Sequence, residues 1–160
     1  MRRPLYVLAA ALVFVGANGV VVAGQVVPNF SGTWVAIPGA STPKEVKVGP
    51  PVTVLQTDTV FTTTHQQPKG ARRTYRLDGT ETRYEEKESG QARLVTAKAT
   101  WAGPKLVITE WRGPASKREL IYSLDDAGRL VISSTRDRLG DTAGGLKMLR
   151  IATTVVYRKY

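Results

Sequence analysis

The sequence contains no cysteine, and its 160 residues include only one histidine, His65. Without cysteine the chain can form neither a disulfide bond nor a thiolate metal site, and no cysteine is present to carry a lipid anchor. A single histidine argues against a histidine-based metal cage and excludes catalytic schemes that need two histidines. We therefore predict no metal ion and no cofactor.

Motifs of the common enzyme families are also missing. The chain has no Gly-x-Ser-x-Gly, no His-Glu-x-x-His and no phosphate-binding loop. The glycine-rich residues 140–147 lack a Lys-Ser/Thr ending and a following helix, so we predict a flexible loop there. Asp125 and Asp126 fit a turn better than a calcium site, because further oxygen ligands at suitable spacing are missing. We predict that the protein is not an enzyme.

Acidic residues are scarce relative to basic ones. There are 13 Asp and Glu against 23 Lys and Arg, which gives a formal net charge of +10. This charge favours contact with anionic surfaces such as lipid head groups, through a long-range force that salt weakens. It is also typical of a basic exported protein that its charge keeps soluble. Because the basic residues are scattered and not clustered, we expect no specific nucleic-acid partner.

The N-terminus has the order of a secretory signal peptide. Arg2 and Arg3 precede an apolar run over residues 5–15, and small residues follow it. Cleavage after Ala17 or after Ala23 would satisfy the small-residue rule. If the leader is kept, residues 5–27 are long enough to span a bilayer as a signal anchor, and only then is the membrane a partner. We expect a signal peptide over residues 1–24 and an exported domain over residues 28–160, in the periplasm or outside the cell.

No interval in the rest of the chain has the pattern of a useful amphipathic helix. The sequence instead predicts about ten β-rich runs bounded by turn residues. Short connections force neighbouring strands to be antiparallel. The predicted fold class is all-β, an antiparallel up-and-down meander that closes into a barrel of about 8–10 strands, with a two-sheet sandwich as the second choice. The predicted strands cover residues 30–36, 52–56, 59–65, 72–77, 80–85, 92–101, 105–111, 117–124, 129–136 and 149–159.

Asp78 and Gly79 give the strongest hairpin signal in the chain. They separate two runs of alternating residues, 72–77 and 80–85. Both positions of such a turn need positive φ, which Asp and Gly tolerate. We therefore predict that these two runs pair as a β-hairpin.

Alternation within the predicted strands places apolar and polar side chains on the same face, which we call a mixed face. In residues 105–111, Leu106 and Ile108 share a face with Glu110, whereas Trp111 lies on the opposite face. Mixed faces fit a barrel with a partly polar lumen, and they also fit a loosely patterned solid core. The alternation leaves both interpretations open.

The two ends of the domain carry a family resemblance. The motif Asn-Phe-Ser-Gly-Thr-Trp at residues 29–34 and the closing Thr-Val-Val-Tyr-Arg-Lys at residues 154–159 resemble the lipocalins and fatty-acid-binding proteins, the small calycin barrels. They are also similar to small, uncharacterised bacterial exported proteins that begin with a Phe-Ser-Gly-Thr-Trp strand. The resemblance implies that Trp34 plugs the closed end of the barrel, that Arg158 packs over the indole and that Gly32 permits close backbone approach.

The same resemblance implies a binding function. We expect an exported lipocalin-like protein that holds a small hydrophobic or amphipathic ligand, largely apolar, in its lumen. The alternative is a filled barrel that acts as an envelope-associated interaction module on anionic surfaces and holds no ligand. Trp101, Trp111 and Tyr122 would fill the lumen if they point inward. The candidate ligand-binding residues are Arg72, Thr74, Tyr75, Arg76, Trp101, Trp111 and Tyr122.

Overall fold

The computed structural model describes residues 27–44, 49–66, 71–88, 91–113, 116–142 and 145–160. The leader expected over residues 1–24 lies outside this range. The described residues form ten β-strands and no helix, and hence no helix long and apolar enough to cross a membrane. The strands are β1 Gly32–Ala36, β2 Val52–Gln56, β3 Val60–His65, β4 Arg72–Arg76, β5 Glu81–Glu88, β6 Gln91–Ala102, β7 Lys105–Trp111, β8 Lys117–Leu124, β9 Leu130–Thr142 and β10 Gly145–Lys159.

All of these strands belong to one antiparallel sheet. Its order is β4-β3-β2-β1-β10-β9-β8-β7-β6-β5, so the first and last strands of the chain pair with each other and the meander curls into a nearly closed barrel. This confirms the predicted all-β meander. Three strands, β2, β7 and β8, have the bounds that the sequence predicts.

One end of the barrel, which we call the base, carries the tight turns that follow β2, β4, β6 and β8. Two of these turns show why the chain reverses there. Gly103 has a φ of 61°, and Gly103 with Pro104 links Ala102 to its partner Lys105. In the turn after β8, the carboxylate of Asp125 accepts hydrogen bonds from the backbone N–H groups of Ala127 and Arg129, at 3.0 and 2.9 Å. We call the opposite end, where β3, β5 and β7 end, the rim.

The interior of the base half is packed with aromatic rings. Phe30 stacks on Trp101 with ring centroids 6.0 Å apart, and it meets Phe61 edge-on at 6.1 Å. Phe61 also contacts Tyr122 at 5.0 Å. Burial of such side chains contributes roughly 1.5–3 kcal/mol each, so this cluster is the main stabilising core.

The N-terminal segment crosses the base and is held by one side chain. Gln56 accepts a hydrogen bond from the backbone N–H of Phe30 and donates one to the carbonyl of Pro28, both at 3.0 Å. Trp34, buried at 2% exposure, donates its indole N–H to the carbonyl of Phe30 at 2.8 Å. These bonds fix Phe30 above the other rings.

The cation over Trp34 is Lys159 and not Arg158. The ammonium of Lys159 lies 5.7 Å from the centre of the indole, and the two residues are register partners on one face. Arg158 pairs with Val35 and is exposed on the other face, which corrects the role expected for it. Gly32 has a φ of 144°, a backbone conformation that side chains disfavour. A Cβ there would come within 2.8 Å of Lys159 Cε, which is the end of a flexible side chain and can shift.

The hairpin predicted at Asp78-Gly79 is a turn without a ladder. β4 and β5, which it joins, stand at the two ends of the sheet order. The backbone N–H of Arg76 donates instead to the hydroxyl of Thr82, at 3.2 Å. The rings of Tyr75 and Tyr84 meet edge-on with centroids 6.2 Å apart, so side chains of the two strands are in contact although no ladder joins the strands.

The predicted loop over residues 140–147 is shorter than expected. β9 and β10 stay paired along a ladder that runs from Leu130 with Tyr157 to Thr142 with Gly145. β8 pairs with β9 only as far as Arg136, so the β9–β10 ribbon extends beyond its neighbours at the rim. β5 likewise continues to Glu88, three residues beyond its predicted end at residue 85.

Candidate ligand-binding site

A buried carboxylate lies at the centre of the rim half of the lumen. Glu110 on β7 has no solvent exposure. Its Oε1 atom accepts hydrogen bonds from the hydroxyl of Tyr75 at 2.8 Å and from the hydroxyl of Tyr84 at 2.6 Å. These two tyrosines come from β4 and β5, the strands at the two ends of the sheet.

Small residues on β6 make room for this arrangement. Val95, Ala97 and Ala99 all point inward and are buried. Ala97 is the register partner of Glu110, and Val95 is the partner of Tyr84. Short side chains here leave space for the two tyrosines to reach Glu110 over the surface of β6.

Two arginines face the second oxygen of Glu110. Its Oε2 atom lies 3.5 Å from a terminal nitrogen of Arg112 and 3.8 Å from one of Arg118. The Nε of Arg118 donates to the hydroxyl of Ser134 on β9 at 3.2 Å. Removing these charges from water is costly, and their mutual attraction together with the hydrogen bonds offsets that cost.

A third arginine and a second glutamate complete the cluster. Arg73 on β4 pairs with Glu86 on β5, and Arg112 bonds the other oxygen of Glu86 at 2.9 Å. Arg73 also lies 6.0 Å from the ring centre of Tyr84. We call this set the rim cluster; it consists of Arg73, Tyr75, Tyr84, Glu86, Glu110, Arg112 and Arg118.

The rim cluster carries a net positive charge, and one of its buried hydrogen-bond donors has no acceptor. Its three guanidinium groups face two carboxylates, which leaves a surplus of one positive charge. The Nε of Arg112 is buried and has no hydrogen-bond partner in the described part of the chain. A buried donor without a partner costs free energy that an added acceptor would recover.

The pKa of Glu110 shows that the cluster holds an ionised acid. Burial alone would raise this pKa, but the hydroxyl of Tyr84 and the guanidinium of Arg118 bring it below the ordinary value. Burial and the charge of Glu110 raise the pKa of Tyr75 and of Tyr84, so both hydroxyls stay protonated and donate. Burial would lower the pKa of Arg73, yet the tyrosines and glutamates around it raise it.

His65 lies at the rim end of β3, beside the cluster. Burial, then the positive charge of Arg73, then that of Arg118 lower its pKa below the ordinary value of 6.5. The imidazole is therefore neutral at pH 7 and adds no charge to the cluster.

The candidate residues from the sequence fall in three separate places. Tyr75 belongs to the rim cluster, whereas Arg72, Thr74 and Arg76 lie on the opposite face of β4, outside the barrel; Thr74 pairs there with Thr62 at 3.2 Å between the hydroxyls. Trp101 and Tyr122 point inward in the base half. Trp111 faces outward. The structure does not bring these seven residues into one site.

Most of the rim cluster was not among the candidates. Glu110 had a signal in the sequence, because alternation placed it on the same face as Leu106 and Ile108. Arg112 and Arg118 lie at strand ends, and alternation from Glu110 and from Leu120 would have pointed them inward. Alternation also places Arg73 on the face of Tyr75 and Glu86 on the face of Tyr84. The predicted hairpin gave no indication that these two strands lack a ladder.

A depression lies at the base, beside the aromatic cluster. It has a volume of about 310 Å³ and is lined by Trp101, Leu77 and Val27 together with polar side chains such as Asn29 and Asp58. It contains no group of opposed charges. For metals, the described residues contain no set of three His, Asp or Glu that could hold an ion.

The comparisons with known proteins do not extend this description. No protein-family model matches the chain, and no curated protein matches it. The barrel architecture is compatible with the calycin resemblance noted in the sequence. One fold hosts many functions, so the rim cluster, and not the barrel architecture, is the feature that bears on function.

Proposed function

We propose that the protein binds a small, largely apolar molecule with one acidic group in the rim half of the lumen. The observation that carries this proposal is the buried, unpartnered Nε of Arg112 inside a cluster with surplus positive charge. A carboxylate or sulfonate matches the planar donor fork of arginine. The binding uses contacts alone and involves no chemical conversion.

Apolar side chains near the cluster fit the rest of such a ligand. Ile151 is the register partner of Arg136, and strand alternation places Ile151 and Leu149 on the inner face of β10. Both are exposed, at 45% and 40%. The base half of the lumen is filled with aromatic rings. We therefore propose that the apolar part of the ligand lies beside the part of the β9–β10 ribbon that extends beyond its neighbours, and not deep in the barrel.

The proposal includes the location of the protein. The leader supports export to the periplasm or the extracellular space, or retention at the membrane if it is not cleaved. An exported binding barrel would meet amphipathic acids at or near a membrane. Native mass spectrometry of the mature domain, purified from its own compartment before and after organic extraction, would show a bound acid directly as a mass that extraction removes.

A titration with decanoate and decanol tests the charge requirement. Both probes have the same chain, and only decanoate carries a carboxylate. We expect decanoate to bind at least about tenfold more tightly than decanol. Substitution Arg118→Met should weaken decanoate binding by about 10–100-fold, because it removes a charged donor, and should leave decanol binding unchanged.

The matched control is Arg83→Met, which removes the same charge from an exposed outer position. Equal binding of the two probes, or equal loss in both variants, would contradict the proposed site.

A second candidate function is favoured by the filled base half and by the outer surface. Leu94, Met148 and Trp111 are exposed at 60%, 52% and 37%. Trp111 is the register partner of Lys117, and Met148 lies two residues before Arg150, which is paired with Asp137. Apolar side chains beside cations are typical of proteins that rest on anionic bilayers. On this view the protein is an envelope-associated module without a ligand. Co-sedimentation with anionic but not neutral vesicles, lost at high salt and unaffected by Arg118→Met, would support it.

A further inference from the structure

The barrel has a seam between β4 and β5. These strands are the two edges of the sheet, so the described residues of the two strands share no backbone ladder. Every other pair of neighbouring strands is joined by a register of backbone partners. The seam is therefore the place where the barrel wall can separate without breaking a ladder.

Side chains hold the seam closed. At the base end, the backbone N–H of Arg76 donates to Thr82. In the middle, Tyr75 and Tyr84 converge on one oxygen of Glu110. Nearest the rim, Arg73 on β4 pairs with Glu86 on β5. The contact between Arg73 and Glu86 is the only one of these three that consists of a full ion pair.

Glu86 is the more accessible of the two acids in the rim cluster. Its side chain is 21% exposed, whereas that of Glu110 is fully buried. Glu86 places one oxygen on Arg73 and the other on Arg112, whose side chains are only 13% and 9% exposed. The partially exposed carboxylate thus occupies the two guanidinium groups that an acidic ligand would reach first.

We infer that Glu86 is a resident carboxylate, which the acidic group of a ligand replaces on Arg73 and Arg112. This exchange breaks the ion pair between Arg73 and Glu86 that holds β4 against β5. The inference rests on the proposed function and adds to it the regulation of the same site. Exchange of one carboxylate for another keeps the charge inside the barrel unchanged, so it avoids the cost of burying an unpaired ion. The released Glu86 is near enough to solvent to be hydrated.

Hydrogen exchange on the full mature protein tests whether ligand binding breaks the ion pair between Arg73 and Glu86. We expect saturating decanoate to speed amide exchange in β4 and β5 and to leave β7 and β8 unchanged, because those strands are paired on both sides. Decanol should leave all four strands unchanged. Protection of β4 and β5 by bound decanoate would overturn the inference.

Substitution Glu86→Gln tests the exchange itself. Without the resident charge, decanoate should bind about tenfold more tightly, and β4 and β5 should exchange faster even without a ligand. The control is Glu85→Gln, which removes the same charge from the outer face of the same strand. Far-ultraviolet circular dichroism of both variants would confirm that the barrel is intact.

The possible failures can be told apart. Tight decanoate binding with equal affinity in wild type, Glu86→Gln and Glu85→Gln would overturn this inference and leave the proposed function standing. Absence of decanoate binding in all three proteins would overturn both.

Discussion

The two halves of the barrel are built on the same ten strands but are filled in different ways. In the base half, inward positions carry Phe30, Phe61, Trp101 and Tyr122, which contact one another as rings. In the rim half, the same alternation delivers Glu110 and three arginines. The comparison shows that strand alternation selects which positions face inward, while the chemistry at those positions decides whether a region stabilises the fold or is available for binding.

The halves also differ in how their walls are closed. The turns at the base are fixed by local hydrogen bonds, as at Asp125, and by glycines with positive φ. The seam between β4 and β5 runs through both halves, and in the rim half the ion pair of Arg73 with Glu86 closes it. Apolar packing is non-directional and tolerates no water, whereas an ion pair can exchange partners. Under the proposed function, the rim half is therefore the part of the barrel that would respond to a ligand.

Substitution Phe61→Ala should produce the largest loss of stability. The side chain is fully buried and contacts three other rings, so we expect a loss of about 3–5 kcal/mol in the free energy of unfolding. Urea unfolding followed by tryptophan fluorescence measures it. The control Leu55→Ala lies on the outer face of β2 at 58% exposure and should change stability by less than about 0.5 kcal/mol. Similar losses in both variants would show that the base half is not the main core.

Substitution Glu110→Gln should cost less, about 1–3 kcal/mol, because it leaves Arg112 and Arg118 without their charged partner. The pKa of Glu110 is lowered in the folded state from its ordinary value of 4.5. The stability that this shift supplies is present above pH 4.5 and is lost as the pH falls through the lowered folded pKa. As the pH falls below 4.5, Glu110→Gln should therefore lose less stability than the wild type.

Chemical unfolding between pH 3 and pH 7 measures the effect of Glu110→Gln, with Glu81→Gln on the exposed face of β5 as the control. If Glu110→Gln and Glu81→Gln had the same pH profile, the buried acid would not be ionised in the folded protein.

Substitution Lys159→Met tests the cation–π contact at the base, where Lys159 covers the indole of Trp34. Loss of a cation–π contact at an exposed position should cost about 0.5–1 kcal/mol. Arg158→Met, one residue earlier on the opposite face, should have a smaller effect. Thermal unfolding of both variants decides which cation packs on the ring, and a larger loss for Arg158→Met would reverse the assignment.

Titration of His65 should give the smallest effect, and it reports on the rim cluster. Burial and the nearby arginines lower its pKa, so the midpoint of its NMR titration should lie below 6.5. As the pH falls below that value, the unfolded chain takes up the proton first, and stability decreases until the lowered folded pKa is passed. Because the chain has one histidine, the signal is unambiguous. A midpoint at or above 6.5 would mean that Arg73 and Arg118 do not face the ring.

The meander could be predicted from the sequence because its signals are local. Alternation fixed the bounds of β2, β7 and β8, and the turn residues at 103–104 and 125–128 marked where the chain reverses. The turn at Asp78-Gly79 was located correctly, but the pairing of its flanking strands was not. A turn signal carries no information about whether the flanking strands form a ladder. Here the two strands stand at opposite ends of the sheet order and contact each other through inward side chains, such as Tyr75 and Tyr84.

The sequence by itself determined the all-β meander, the positions of its turns and the face on which each residue lies, because period-two alternation and turn chemistry act over a few residues. The tertiary structure alone decided what those inward faces meet. Tyr75 and Glu110 are 35 residues apart, and they come together because β4 and β7 lie on opposite sides of a seam. The pairing of β1 with β10 placed Lys159 and not Arg158 over Trp34. The two strands are far apart in the chain, so neither sequence alone fixes the register between them.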